Sequence, residues 1–86
     1  MASYNILLTK SAAKELKRVP PKDRQRIVTK VRALAEYPRP TGAEKLSGDD
    51  KFRIRQGDYR ILYEIIDQDL IVTVVRIGDR REVSRR

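Results

Sequence analysis

The chain has 86 residues, of which 40% are hydrophobic and 37% are charged. This length predicts one small domain over residues 1–86 with a single modest core, and the composition excludes an intrinsically disordered chain. The 20 Lys and Arg residues exceed the 12 Asp and Glu residues, and the net charge of +8 favours an anionic partner: nucleic acid, an acidic protein or anionic lipid.

Cysteine and histidine are both absent from the sequence. Disulfides, thiolate metal sites and cysteine nucleophiles are therefore excluded, and the commonest general acid or base near neutral pH is missing. The sequence also has no glycine-rich phosphate-binding motif, so we expect no metal site and no cofactor. It has neither a basic leader typical of signal peptides nor an apolar run that could span a bilayer, which predicts a cytoplasmic protein with no membrane partner.

The first part of the chain predicts a short strand and a helix. The segment Tyr4–Leu8 is β-prone, and Thr9 or Ser11 can cap a helix that runs to about Arg18. We expect Glu15 near the first turn of this helix, where its negative charge suits the helix dipole.

Two prolines separate this helix from a second one. Pro20 ends the first helix, and Pro21 is well placed to open the next, which continues to the residue before Pro38. The stretch Arg39–Asp50 contains a further proline and two glycines and is predicted to be a loop. The apolar residues at helical spacing are Ala12, Leu16 and Val19 in the first helix, and Ile27, Val28, Val31, Leu34 and Ala35 in the second.

The second half of the chain predicts three antiparallel strands, Lys51–Arg55, Tyr59–Ile66 and Leu70–Ile77. The turns between them fall at Gly57-Asp58 and at Asp67–Asp69. The third strand is apolar on both sides, which is typical of a central strand. The whole pattern predicts an α+β fold: a short N-terminal strand, two helices and an antiparallel β-meander, with about four strands in one sheet.

The first hairpin of this meander carries the most informative pattern. With Gly57-Asp58 as a two-residue loop, Arg55 pairs with Arg60. Like charges directly opposite each other destabilise a sheet, so we expect the pair to hold an anion. Phosphate suits the planar fork of donors that arginine offers. In this register neither arginine faces a carboxylate, although Asp58 in the turn could still pair with one of them.

The same register separates an apolar face of the hairpin from a basic one. Ile54 and Ile61 fall on the apolar face, where we also expect Tyr59 and Tyr63 to be buried. The opposite face is expected to form a basic groove. Its arginines are Arg53, Arg55 and Arg60, whereas Lys51 faces Glu64 and is better explained by a structural ion pair.

Four segments carry a family resemblance: KSAAKELKRVP, YPRPTGAEKLSG, FRIRQGDYRILYEI and RIGDRREV. In this order they resemble the RelE/ParE superfamily of toxin–antitoxin systems, and specifically RelE-type toxins of type II modules. The resemblance covers nearly the whole chain. It implies a cytoplasmic endoribonuclease that cleaves mRNA in the ribosomal A site, by attack of the ribose 2′-OH on the adjacent phosphate. It also implies a cognate antitoxin that holds the enzyme inactive.

The resemblance further implies catalytic roles for four arginines. The basic pair on the first hairpin strand of RelE-like toxins corresponds to Arg53 and Arg55. The arginine of their GYR motif corresponds to Arg60, and the arginine after the late glycine corresponds to Arg80. Further basic residues expected to contact RNA or the ribosome are Lys51, Arg81, Arg85 and Arg86, although charge in a terminal tail is an equally good explanation for Arg80 and Arg81.

Two departures from the family pattern affect proton transfer. The family often has a tyrosine near its end where this chain has Ser84, and many relatives have a histidine where Asp79 stands. The acid and base therefore stay unassigned, whereas stabilisation of the phosphate and transition state by arginines is unaffected.

Two other functions stay open at this point. A ParE-like poison of DNA gyrase would share the fold but have a protein target and no nuclease chemistry, and the loss of the tyrosine at Ser84 keeps it in play. A non-catalytic RNA-binding module has less support, because the sheet lacks the exposed aromatic residues that stack unpaired bases. Basic residues at all the RelE-type positions favour the endoribonuclease.

Overall fold

The fold is an α+β arrangement, seen in a computed structural model that describes residues 3–46 and 50–79. The predicted order of strand, two helices and β-meander is confirmed. In chain order the elements are β1 (Asn5–Leu8), α1 (Lys10–Arg18), α2 (Pro21–Ala33), β2 (Glu44–Lys45), β3 (Lys51–Gln56), β4 (Tyr59–Ile66), a 3-10 turn (Asp67–Asp69) and β5 (Ile71–Asp79).

The strands form one mixed sheet of five strands in the order β1-β5-β4-β3-β2. Strand β1 runs parallel to β5, with Asn5 opposite Ile71, and the other neighbours are antiparallel. The strand beyond the predicted four is β2, which lies inside the stretch predicted to be a loop. Its two residues are too few to show a period, so only pairing with β3 defines it as a strand. Strand β5 lies between β1 and β4, as its apolar sequence predicted.

Helix α1 is capped by Thr9, whose hydroxyl oxygen accepts a hydrogen bond of 3.1 Å from the backbone N–H of Ala12. The expectation that Glu15 lies near the first turn is wrong, because the first turn holds no acidic residue. Glu15 lies further along the helix and bonds to β5 instead. No helix in residues 3–46 and 50–79 is long and apolar enough to cross a membrane.

Helix α2 begins at Pro21, as predicted, but ends at Ala33 and not before Pro38. Beyond Ala33 the backbone N–H groups of residues 34–36 bond three residues back, so the chain tightens into turns. The carbonyl of Ala35 accepts a hydrogen bond of 2.8 Å from the N–H of Tyr4. This tertiary contact joins the end of the helical region to the residue before β1 and has no signal in local periodicity.

The core lies between the helices and one face of the sheet. Ile54, Ile61 and Tyr63 are each at most 2% exposed, which confirms the predicted apolar face of the hairpin, whereas Tyr59 is only partly buried against the core. On the opposite face of the sheet, called the open face below, Arg53, Arg60 and Leu62 are only partly buried, so their side chains define a second, more polar surface. The buried core residues are Ala12, Val19, Ile27, Val31, Leu34, Phe52, Ile54, Ile61, Tyr63, Ile65, Val72, Val74 and Ile77.

A bulge in β5 changes which face its side chains reach. Leu62 pairs with Arg76, but the next residue, Tyr63, pairs with Val74, so Val75 has no partner on β4. Val74 and Ile77 are both buried although they are three residues apart. Strict alternation would have put Arg76 on the core face with Val74. The bulge turns Arg76 to the open face instead, as bulges commonly re-aim side chains.

Tyr63 anchors the segment that follows α2. Its hydroxyl donates a hydrogen bond of 2.7 Å to the carbonyl oxygen of Pro38. Burial raises the pKa of Tyr63 to about 12. Arg39 lies with its guanidinium carbon 5.4 Å from the ring centroid of Phe52 and forms a 2.7 Å ion pair with Asp67. These contacts fix the chain just before it enters β2.

Candidate functional site

The β3–β4 hairpin has the predicted register. Arg55 lies opposite Arg60, and the turn residue Gly57 has a φ of 61°, in the left-handed region that glycine adopts most readily. Lys51 lies opposite Glu64 as predicted, but the two side chains form no ion pair among the described contacts. The predicted pairing position of Lys51 is therefore confirmed, whereas its predicted ion pair with Glu64 is not found among the described contacts.

An open groove with a volume of about 480 Å³ lies where the end of α1 meets the open face of β3, β4 and β5. Four arginines line it: Arg53 from β3, Arg60 from β4, Arg76 from β5 and Arg18 from the last turn of α1. Leu62 lies among them and supplies an apolar surface. The arrangement suits a ligand with negative charge and apolar parts, such as a nucleotide chain.

Two of these arginines have a buried donor without a partner. The Nε atoms of Arg53 and Arg60 are buried and form no hydrogen bond within the part of the chain that the structure describes. Buried donors are paired in the great majority of cases, and leaving one unpaired costs about 1–3 kcal/mol. The groove therefore carries a local energetic cost at Arg53 and at Arg60, and an anionic ligand that reoriented the guanidinium groups would relieve it.

Glu44 corrects one prediction about the hairpin. We expected Arg55 to meet no carboxylate, but Glu44 Oε1 lies 3.8 Å from its Nη2 atom, and Glu44 Oε2 accepts a hydrogen bond of 3.0 Å from Arg53. Pairing of β2 with β3 brings Glu44 opposite Arg53, and β2 had been predicted as loop. The hydrogen bond from Arg53, with the charges of Arg55 and Arg60, lowers the pKa of Glu44 below its ordinary value.

Glu15 and Arg76 also belong to the groove, and the sequence analysis missed both. Glu15 Oε2 accepts a hydrogen bond of 3.1 Å from Arg76 Nε, and Glu15 Oε1 accepts one of 2.8 Å from the backbone N–H of Ile77. The sequence signal that could have revealed Arg76 is its charge within the apolar strand β5, because a charged residue there indicates that the strand changes the face on which its side chains lie.

Some of the remaining residues that the sequence analysis singled out lie within the part of the chain that the structure describes, and the others lie outside it. Lys51 and Arg55 are exposed, and Asp79 lines the groove at the end of β5. The residues that the structure describes contain no cluster of three or more acidic, histidine or cysteine side chains that could hold a metal ion. The predicted residues outside the described ranges are Arg80, Arg81, Ser84, Arg85 and Arg86.

The fold matches that of solved toxin–antitoxin complexes. The chain has a TM-score of 0.84 and 26% identity with an archaeal RelE–RelB complex from Pyrococcus horikoshii, covering 91% of this chain and 96% of that chain. It has a TM-score of 0.81 and 28% identity with the RelBE2 toxin–antitoxin complex from Mycobacterium tuberculosis, covering 93% and 94%. The class of protein is thus a small α+β toxin of a toxin–antitoxin system.

Sequence comparisons place the chain within this class. A family described as the ParE toxin of the type II toxin–antitoxin system parDE matches residues 6–84. The mRNA interferase toxin RelE of Escherichia coli K12 is 30% identical over 81 residues, 91% of this chain and 84% of that protein. The toxin RelG of Mycobacterium tuberculosis is 30% identical over 87 residues, 96% and 98% respectively. The chain belongs to the RelE/ParE family of type II toxins and is of the RelE type, which confirms the resemblance.

Proposed function

We propose that this toxin is a ribosome-dependent endoribonuclease that cleaves mRNA and so inhibits translation. The observation that carries the proposal is the pair of buried Nε atoms of Arg53 and Arg60, which have no partner among residues 3–46 and 50–79, in a groove lined by arginines. The printed names of the relatives in Escherichia coli and Shigella flexneri, mRNA interferases, support the same activity.

The reaction transfers a phosphoryl group within the RNA. The ribose 2′-oxygen attacks the adjacent phosphorus, the bond from phosphorus to the 5′-oxygen of the next nucleotide breaks, and a 2′,3′-cyclic phosphate and a 5′-hydroxyl result. The 2′-hydroxyl loses a proton and the leaving oxygen gains one. Negative charge builds on the pentacoordinate phosphorus, and fixed guanidinium groups in a partly buried groove stabilise it. Arg60 and Arg53, which line the groove, are the central candidates, and Arg55 and Arg80 are the further ones.

Alignment of the nucleotide supplies the other large contribution. Holding the 2′-oxygen in line with the scissile bond converts a rare geometry into a persistent one. A ribosome that presents one codon in a fixed conformation provides this alignment, so a chain without histidine can still catalyse the step.

Primer extension tests this proposal against the alternative of a gyrase poison. Wild type, Arg60→Ala and Arg26→Ala are induced briefly in a bacterial host, Arg26 being an exposed arginine of α2 outside the groove. We expect discrete breaks within translated codons for wild type and Arg26→Ala, and none for Arg60→Ala. Removing the start codon of the reporter should abolish the breaks. Intact mRNA with inhibited DNA supercoiling would overturn the proposal in favour of the gyrase poison.

A cognate antitoxin completes the proposed function. An exposed basic groove needs a cover in the cell, and an acidic or amphipathic protein segment has the complementary charge. The similar solved structures from Mycobacterium tuberculosis and Pyrococcus horikoshii are complexes with an antitoxin, which supports this partner. Purification from the native operon should recover a small second protein. Recovery of the chain alone at normal expression, with no growth arrest, would contradict both the antitoxin and the toxin activity.

A further inference from the structure

Helix α1 holds the β5 bulge at three consecutive residues. The hydroxyl of Thr9 donates a hydrogen bond of 2.8 Å to the carbonyl oxygen of Val75. Glu15 accepts the hydrogen bonds from Arg76 Nε and from the N–H of Ile77, at 3.1 and 2.8 Å. Helix α1 and its N-cap residue therefore hold Val75, Arg76 and Ile77 in place.

Glu15 leaves most of the Arg76 guanidinium available to a ligand. The contact uses only Nε, and the Nη groups of Arg76 donate to no described residue. The Arg76 side chain is 56% exposed whereas that of Glu15 is 24% exposed, so the carboxylate forms part of the wall and the guanidinium extends from it.

The position of Arg76 relative to Arg60 suits a polymer. Arg60 lies opposite Gly78, and Leu62 lies opposite Arg76 on the same face. Residues two apart along a strand are separated by roughly 7 Å. Arg76, which is level with Leu62, is therefore displaced by about that distance along the strand direction from the level of Arg60. The Leu62 side chain between them can contact a ribose or a base. The backbone of a single-stranded RNA presents phosphates at a comparable interval.

We propose that Arg76 binds a second phosphate of the RNA strand, adjacent to the phosphate held at Arg53 and Arg60, and that Glu15 is the positioning residue that orients Arg76. The proposal rests on the proposed function only in taking RNA as the ligand. It concerns binding along the strand and not the cleavage step.

A salt titration of RNA binding tests the role of Arg76. A short, fluorescently labelled single-stranded RNA is titrated with wild type, Arg76→Gln and the matched control Arg26→Gln, and anisotropy is followed over a series of salt concentrations. We expect Arg76→Gln to weaken binding about ten-fold at low salt and to lower the slope of log affinity against log salt by about 0.7, the value for one phosphate contact on a single strand. Arg26→Gln should change both quantities much less. Equal effects of the two variants would overturn the proposal.

A double-mutant cycle tests the positioning role of Glu15. Glu15→Gln removes a negative charge, which by itself would strengthen RNA binding. If Glu15 orients Arg76, we expect Glu15→Gln to weaken RNA binding in the wild-type background and not to weaken it in the Arg76→Gln background. The same effect in both backgrounds would overturn the positioning role.

Two further measurements keep the test decisive. Should Arg76→Gln fail to fold, Arg76→Lys keeps the charge and loses the planar fork, and we expect it to bind more weakly with an almost unchanged salt slope. If wild type cleaves no mRNA on ribosomes yet the Arg76 effects persist, the second phosphate site stands without the nuclease. If cleavage occurs and Arg76→Gln binds RNA like Arg26→Gln, the nuclease stands without the second site.

Discussion

Arg53 donates a hydrogen bond of 3.0 Å to Glu44 across the short pairing of β2 with β3. The same carboxylate lies 3.8 Å from Arg55, so one acidic side chain contacts two of the arginines proposed to act on RNA. Because the Glu44 side chain is half exposed and β2 has only two residues, the contact is weakly held. If these guanidinium groups bind a phosphate as proposed, Glu44 competes with it.

The first prediction follows from this competition. Glu44→Gln keeps the size of the side chain but removes its charge, so we expect RNA affinity at low salt to rise by up to about five-fold. The pKa of Glu44 is lowered, chiefly by the hydrogen bond from Arg53, so the carboxylate is charged at neutral pH and the effect should be constant from pH 6 to 8.

Anisotropy with labelled RNA measures this gain, and Glu36→Gln is the matched control because Glu36 is an exposed carboxylate outside the groove. Weaker binding by Glu44→Gln would show that Glu44 orders the arginines and does not compete with the ligand.

The second prediction concerns the Arg55–Arg60 pair. Arg60→Ala should abolish toxicity and leave the fold intact. Removal of one member of a like-charge pair should also raise the free energy of unfolding by a few tenths to about 1 kcal/mol. Growth after induction measures toxicity, and urea denaturation measures stability. A fully toxic Arg60→Ala variant would refute the phosphate site.

The third prediction concerns the tail that follows β5, where the chain departs from its family. We expect Arg80→Ala to lower the single-turnover cleavage rate on programmed ribosomes by about 10²–10³, the usual effect of losing one charge-stabilising donor. Ser84→Tyr should raise that rate or leave it unchanged, because an unassisted serine hydroxyl is a poor acid or base. Cleavage by Arg80→Ala at the wild-type rate would restrict the site to the groove.

The fourth prediction uses the buried Tyr63 hydroxyl. Tyr63→Phe leaves the Pro38 carbonyl without its donor and should cost about 1–2 kcal/mol in the free energy of unfolding at pH 7. Burial raises the pKa of Tyr63 from 10.0 to about 12, so folding favours the protonated hydroxyl. That contribution is fully present below pH 10 and is lost as the pH rises through 12.

Urea denaturation between pH 7 and 12 checks both effects of Tyr63→Phe. The variant should lose less stability than wild type over the alkaline range, although Tyr4, whose pKa is raised by its hydrogen bond to Asp67, retains a share of the slope. Tyr37→Phe is the control, since Tyr37 is 65% exposed. Parallel alkaline curves for wild type and Tyr63→Phe would contradict the prediction.

The hairpin was predictable from the sequence because local rules determine it. Alternation of apolar and basic residues on either side of Gly57-Asp58 fixes both the register and the two faces, and Arg55 opposite Arg60 follows at once. The same holds for the Thr9 cap and for Pro21 at the start of α2, since each depends on its immediate neighbours.

The features that the sequence did not reveal depend on contacts between distant segments. Glu44 becomes part of the site only through pairing with β3, and Arg76 reaches the groove only through a bulge that α1 holds in place. Residues on both faces of β5 are mostly apolar, so the sequence up to Val75 fits either assignment of these residues to the two faces of the sheet. The change of face at the bulge is therefore not visible in the sequence pattern.

The parallel pairing of β1 with β5 has a consequence for how the toxin is made. Asn5 finds its partner at Ile71, so a nascent chain carries β1 unpaired until almost the whole described fold has been synthesised. Closure of so long a loop is entropically unfavourable until β5 also packs on β4. The groove therefore cannot form before β5 has been synthesised, because Arg76 and its neighbours in β5 supply part of its lining.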